Sequence, residues 1–179
     1  TSAVGGGGAA PTAGTVNYNS GGNQNIGNYS YYHLATSGEG IKTLPAAAIT
    51  IGATLDINAS TLAFDAAAAR VVTVTGSLAG SGTIDMSSGS QTHTLNLNGA
   101  TNSIGALVTA AVASTISYNL AGTQTVFGSS AYRNLTLSGA GIKTLQSDAT
   151  IGGNLSVAAG SIFNLGTTAT TVSISGTGT

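Results

Sequence analysis

The sequence contains no cysteine and no tryptophan, and it has only two prolines among 179 residues. Without cysteine the chain can form neither a disulfide nor a thiolate metal site. Aromatic residues make up only 5% of the chain, so a core must be built from small and β-branched side chains. A cysteine-free chain rich in Thr, Asn and Gly suits bacterial export better than it suits a cytosolic enzyme.

Charge is equally scarce, with 4 Lys and Arg against 5 Asp and Glu and a net charge of -1. The four basic residues are scattered, so we expect no nucleic-acid binding. The longest apolar stretch, residues 106–116, is interrupted by polar residues and is shorter than the roughly 20 residues that span a bilayer. We therefore expect no membrane insertion. A hydrophobic content of 41% favours a folded chain over a disordered one.

Glycine is abundant, with 27 residues, and four of them are consecutive near the start of the sequence. The opening stretch "TSAVGGGGAAPTAG", residues 1–14, is typical of a linker or of the start of a fragment cut from a longer protein.

The phrase "SGEGIKTL" at residues 37–44 returns as "SGAGIKTL" at residues 138–145. The two phrases belong to a duplication at an offset of 100 to 101 residues, which pairs residues 16–76 with 116–176 and gives about twenty identities over about sixty positions. The sequence therefore predicts a first repeat over residues 15–115 and a second, truncated repeat over residues 116–179.

Apolar and polar residues alternate in short segments, as in "NLTLS" from Asn134, and clusters of Gly, Ser and Asn end each segment. No segment has the periodicity and caps of a helix. We predict an all-β fold, a parallel β-helix (β-solenoid) of roughly eight coils of about twenty residues each. An antiparallel β-sandwich is the alternative, although it usually needs larger aromatic core residues.

The phrases "YRNLTLSGAGIKTL" and "ATIGGNLSVAAGSIFNLG" resemble tandem repeats of giant secreted bacterial surface adhesins, of the Bacteroidetes type and of filamentous-haemagglutinin-like β-helices. The resemblance covers residues 16–179 and implies a structural or adhesive stalk or filament segment on the bacterial cell surface, in the extracellular space. Such a segment would associate end to end or within a longer repeat chain. The resemblance supplies no catalytic residue.

The acidic residues are dispersed, and the second repeat does not keep them: Ser156 replaces Asp56 and Leu165 replaces Asp65. We therefore predict no enzyme, no catalytic residue, no metal site and no cofactor. His33 and His93 could act as a base or as ligands, but the alternation places His93 with Leu95 and Leu97, so we predict a half-covered ring at a coil corner.

Two groups of residues remain as candidate sites. The tyrosines of "NYSYY", Tyr29, Tyr31 and Tyr32, could bind surface glycans, which would make the chain a carbohydrate-binding or polysaccharide-cleaving β-helix. Lys42 and Lys143 are the only charges kept in both repeats, and we predict that each is a solvated surface charge at a turn. Thr-rich segments also allow an ice-binding solenoid as a minor alternative.

Overall fold

A computed structural model describes residues 12–109, 113–167 and 170–176 of the chain. Within these ranges the chain is built from β-strands and contains no helix. The strands are short because Gly, Ser and Asn clusters end them. In chain order they are β1 (Thr15–Tyr18), β2 (Gln24–Asn25), β3 (His33–Thr36), β4 (Ile41–Thr43), β5 (Ile49–Ile51), β6 (Leu55–Ile57), β7 (Thr61–Ala63), β8 (Val71–Val74), β9 (Leu78–Ala79), β10 (Thr83–Met86), β11 (Thr94–Leu97), β12 (Ala106–Thr109), β13 (Thr115–Tyr118), β14 (Gln124–Val126), β15 (Asn134–Leu137), β16 (Gly141–Leu145), β17 (Ala149–Ile151), β18 (Leu155–Val157), β19 (Ser161–Asn164) and β20 (Val172–Ile174).

The strands wind into a parallel β-solenoid of about seven turns with three faces. Face 1 contains β1, β3, β6, β9, β14, β16 and β19; face 2 contains β2, β4, β7, β10, β12, β17 and β20; face 3 contains β5, β8, β11, β13, β15 and β18. Face 3 is one continuous six-stranded sheet, whereas faces 1 and 2 are each divided into two sheets. The chain passes from face 1 to face 2 to face 3 in each turn.

The core is a set of columns of apolar side chains that run along the axis of the solenoid. On face 3, Ile51, Val74, Leu97, Tyr118 and Leu137 are paired in register from turn to turn, and all are fully buried. A single turn cannot bury these side chains, and each one contributes about 1.5–3 kcal/mol when it is covered. Stacking of the turns therefore supplies both the hydrophobic core and the partners of the backbone N–H and C=O groups.

The two repeats are rotated by one face relative to each other. Val16 and Leu34 pair on face 1, whereas their equivalents Ile116 and Leu135 pair on face 3. The repeat unit therefore does not contain a whole number of turns. The predicted repeat boundary at 115/116 lies inside β13, in the continuous sheet of face 3, so the two repeats share one core.

The prediction of a parallel β-helix is confirmed, and the alternative antiparallel sandwich is wrong, because every strand pair in the described residues is parallel. Turn length varies, since Val16 pairs with Leu34 but Val72 pairs with Leu95. Residues 1–11 of the predicted linker lie outside the described residues. In the part of the chain that the structure describes, no helix is long and apolar enough to cross a membrane.

Candidate functional site

The repeated phrase forms a corner of the solenoid that is closed by a buried lysine. Lys42 lies at the inward position of β4, and its side chain is completely buried. Its Nζ donates hydrogen bonds to the backbone carbonyls of Ser20 at 2.7 Å, Gly22 at 2.8 Å and Glu39 at 2.8 Å. Two of these carbonyls belong to the preceding turn. The ammonium therefore ties two successive turns together, with all three of its protons donated to the protein.

Lys143 makes the same corner in the second repeat. Its side chain is also completely buried, and its Nζ donates to the carbonyls of Leu120 and Gly122 in the preceding turn. Burial lowers the pKa of the Lys143 ammonium. The prediction that Lys42 and Lys143 are solvated surface charges is therefore wrong: both point inward, and carbonyls that converge at the corner replace their water.

The glycines of the phrase let the backbone make this corner. Gly139 has φ +67, and a Cβ there would lie 2.5 Å from the carbonyl oxygen of Asn119. Gly38 in the first repeat has φ +68, and a Cβ there would lie 2.6 Å from the carbonyl oxygen of Ser20. Both the left-handed backbone and the close approach of the preceding turn require glycine. The eight-residue phrase is thus repeated because its Gly and Lys residues build one corner.

A glutamine one turn earlier extends the polar column in the second repeat. Gln124 pairs in register with Lys143, and its Nε2 donates to the carbonyls of Leu97 at 2.7 Å and Gly99 at 2.9 Å. Gln24 pairs with Lys42 in the same way. Sequence reasoning missed these residues, although their presence in both repeats was a usable signal.

Tyr18, which is half-buried, and Tyr31, which is buried, form a second recurring arrangement. The N–H of Gly27 donates to the hydroxyl of Tyr18 at 2.8 Å, and the hydroxyl of Tyr31 donates to the carbonyl of Gly27 at 2.6 Å. The two hydroxyls are 3.0 Å apart. Because the Tyr31 proton goes to Gly27, Tyr18 must donate to Tyr31. The ring of hydrogen bonds therefore satisfies both polar backbone groups of one residue.

The second repeat contains the same ring. Phe127 N–H donates to Tyr118, Tyr118 and Tyr132 are 3.0 Å apart, and Tyr132 donates to the Phe127 carbonyl at 2.5 Å. Burial raises the pKa of both hydroxyls, so they stay protonated and can donate.

The three tyrosines predicted to bind glycans do not form an exposed row. Tyr31 is buried and belongs to the hydrogen-bonded ring, so the prediction that it is a binding residue is wrong. Tyr29 is half-buried and packs edge-on against Tyr31, with ring centroids 6.4 Å apart. Tyr32 is half-buried and lies against His33 instead. The alternation within this segment sends one ring into the core and separates the other two.

Replacement of Tyr118 by Phe is expected to lower the free energy of unfolding by about 1–3 kcal/mol, because the Phe127 N–H loses its acceptor in a buried site. Urea unfolding followed by circular dichroism measures the change. Tyr32→Phe, at a half-buried ring, is the control and is expected to change stability by less than about 0.5 kcal/mol. Equal effects of the two changes would contradict a structural role for the ring.

A buried histidine lies beside the ion pair at the end of the loop between β7 and β8. Arg70 Nη2 donates to Asp65 Oδ2 at 2.5 Å. The backbone N–H of Arg70 donates to His93 Nδ1 at 3.1 Å. His93 is fully buried rather than half-covered as predicted, and burial lowers its pKa. A neutral His93 accepts the Arg70 N–H, which fixes the loop onto the next turn.

We expect the protein to lose stability as the pH falls below about 6.5, the ordinary pKa of histidine. Because the pKa of His93 is lower in the folded protein, acidification protonates the unfolded chain first and so favours unfolding. The stability that neutral His93 contributes is therefore complete only above the pKa of this histidine in the unfolded chain. Arg70 opposes protonation of His93, while Asp65 and Asp85 favour it.

Urea midpoints at pH 7.5 and pH 5.5 test this expectation. His93→Gln should flatten the pH dependence, because Gln offers an uncharged acceptor. His33→Gln retains His93, so the part of the pH dependence that comes from His93 should persist. A native midpoint that rises on acidification would contradict the assignment.

The buried polar groups described above are placed to make hydrogen bonds within the fold. Within residues 12–109, 113–167 and 170–176, no group of three or more His, Cys, Asp or Glu side chains is placed to hold a metal ion. The buried Lys, Gln and Tyr side chains are all occupied by backbone groups. The Lys and Gln side chains fasten one turn to another, whereas each tyrosine ring joins segments less than one turn apart. No protein-family model, curated protein or solved structure matches the chain.

Proposed function

We propose that the chain is a structural and adhesive stalk or filament segment of a bacterial extracellular repeat protein. The observation that carries the proposal is the unbroken stack of face 3, whose columns run through both repeats without a domain boundary. Loads along such a stack are shared by backbone ladders and by the polar corners at Lys42 and Lys143. These repeated features hold successive turns together, and a stalk needs such cohesion along its length.

The outer surface of face 3 is polar and uncharged along its centre, which suits a stalk surrounded by water. Its central outward column runs through Thr50, Thr73, Asn96, Ser117 and Thr136 in register. Short polar side chains bind water without creating a strong field. Asn96 and Ser117 interrupt the Thr column, and an ice-binding surface needs a regular one, so ice binding stays the minor alternative.

The last turn presents inward side chains at the end of the stack. Val157 continues the column of Leu137, and Ile174 continues that of Ile151, yet they are 37% and 42% exposed. Their counterparts Ile57 and Val74 in the first repeat are fully buried. We propose that this end stacks on a turn from a second copy or from the same repeat chain, which extends the parallel ladder.

Sedimentation velocity of the chain over a range of concentrations is expected to show association that Val157→Lys abolishes. A lysine at this inward position would have to be desolvated against the covering turn. Ile162→Lys is the matched control: Ile162 is 59% exposed but pairs with the outward Ile142, so association should persist. A native chain that stays monomeric throughout would contradict stacking on a second copy.

Immunogold electron microscopy of intact cells of the source organism tests the proposed location and role. Antibodies against the folded chain are expected to label unpermeabilised cells, with gold particles held away from the outer surface. Cells that lack the gene provide the control. Labelling that requires permeabilisation would contradict the extracellular assignment.

A further inference from the structure

A groove opens on face 1 where the backbone ladder is interrupted between the two repeats. Among the described residues, β9 and β14 on this face belong to separate sheets. Between them lies Asn102, which is bridged to Leu78 and donates its N–H to Thr125 Oγ1 at 2.7 Å. The groove has a volume of about 480 Å³. It adjoins a second hollow of about 200 Å³, with which it shares Ile104, Phe127 and Gly128. This size is in the range of small-ligand sites.

The groove is lined by uncharged side chains, some polar and some apolar. Hydroxyl and amide groups come from four successive turns, which contribute Ser77, Ser103, Thr125 and Gln146 in that order. Leu78, Ile104 and Phe127 provide apolar surface between these groups. Among the residues that the structure describes, no Asp, Glu, Lys, Arg or His lines either hollow. Such a lining offers many hydrogen bonds without a counter-ion for phosphate or carboxylate groups, which favours a neutral polyhydroxylated ligand.

Asn102, at the wall of the groove, has a buried hydrogen-bond acceptor without a partner in the described residues. The residue is only 3% exposed. Its Nδ2 donates to the carbonyls of Gly99 at 3.0 Å and Thr125 at 3.2 Å. Its Oδ1 accepts no hydrogen bond from the part of the chain that the structure describes. A buried acceptor of this kind costs about 1–3 kcal/mol, which a ligand hydroxyl, or a water held by it, would offset if binding turned the amide toward the groove.

We propose that this groove binds a neutral oligosaccharide. The inference rests on the adhesive part of the proposed function and gives it a site and a ligand class, at the junction of the repeats instead of at Tyr29–Tyr32. Binding by one open groove would be weak, and repeated sites along a longer chain would strengthen attachment through multivalency.

Titration of the ¹⁵N-labelled chain with neutral tetrasaccharides of glucose, mannose, galactose and N-acetylglucosamine tests the proposal. At least one sugar is expected to shift the amide signals of Ser77, Ser103 and Gln146, together with the Asn102 side-chain signal, in a saturable way. Ser103→Tyr fills the groove from an exposed position and should weaken that binding about tenfold or more. Ser30→Tyr, at an exposed position outside the groove, should leave it unchanged.

The spectrum of each variant shows whether its fold is retained. If no tetrasaccharide shifts the groove signals, or if the shifts survive Ser103→Tyr in a folded variant, the proposal is overturned. Neither result affects the stalk proposal, which depends on surface labelling. Conversely, a chain that binds sugar but is found only inside cells would retain the groove assignment and lose the extracellular stalk.

Discussion

Replacement of Lys42 by Met is expected to lower the free energy of unfolding by about 3 kcal/mol or more. Met keeps the length of the side chain but removes the ammonium, which leaves the carbonyls of Ser20, Gly22 and Glu39 without their shared donor. Buried acceptors without a partner cost about 1–3 kcal/mol each. Chemical unfolding in urea, followed by far-ultraviolet circular dichroism, measures the loss.

Glu39→Ala is the matched control for this change. Glu39 is exposed, and it contributes only its backbone carbonyl to the lysine. The control should therefore alter stability by less than about 0.5 kcal/mol. If Lys42→Met were as harmless as the control, the ammonium could not be holding the corner, and the account of the repeated phrase would be wrong.

Replacement of Gly139 by Ala is expected to destabilise the second repeat by about 2–4 kcal/mol. The left-handed backbone alone costs a non-glycine residue about 1–2 kcal/mol. The added Cβ would also lie 2.5 Å from the carbonyl oxygen of Asn119 and 2.6 Å from that of Leu120, which forces neighbouring turns apart. Amide hydrogen exchange should locate the loss of protection in the turns next to this corner, because each turn contacts mainly its neighbours.

Gly21→Ala separates the effect of crowding from that of a general loss of glycine. A Cβ at Gly21 meets nothing within 4 Å, so the substitution should change stability by less than about 0.5 kcal/mol. Protection lost evenly over the whole chain in Gly139→Ala, or a comparable loss of stability in both variants, would contradict the proposed close approach of turns at Gly139.

The alternation of residues predicts the parallel stack because it reports which side chains are inward. In "NLTLS", Leu135 and Leu137 are buried as the pattern requires. The order of the faces could not be predicted in the same way. Turns differ in length, so a count of residues does not reveal that Ile116 lies on face 3 while Val16 lies on face 1.

Buried polar side chains are where sequence reasoning failed. Lysine is ordinarily solvated, and two of the three carbonyls that accept from Lys42 come from a turn about twenty residues earlier, so only the fold brings them together. Tyr31 was predicted as a ligand-binding residue, yet the presence of Tyr18 and Tyr31 equivalents at Tyr118 and Tyr132 already favoured a shared structural role. The groove on face 1 has no sequence pattern, because it arises from an interruption in pairing between distant strands.

Pulsed electron paramagnetic resonance tests the central claim, that successive turns stack as parallel layers. The chain has no cysteine, so spin labels attach only at cysteines introduced in pairs. Suitable pairs replace Thr50 and Thr136 in one variant and Thr50 and Ser156 in another. These outward residues lie on face 3, four and five turns apart in register, and at about 4.8 Å per turn the backbone separations should be about 19 Å and 24 Å. A distance that increases by about one strand spacing from the first pair to the second agrees with the stack. Equal distances, or a shorter distance for Ser156, would contradict it.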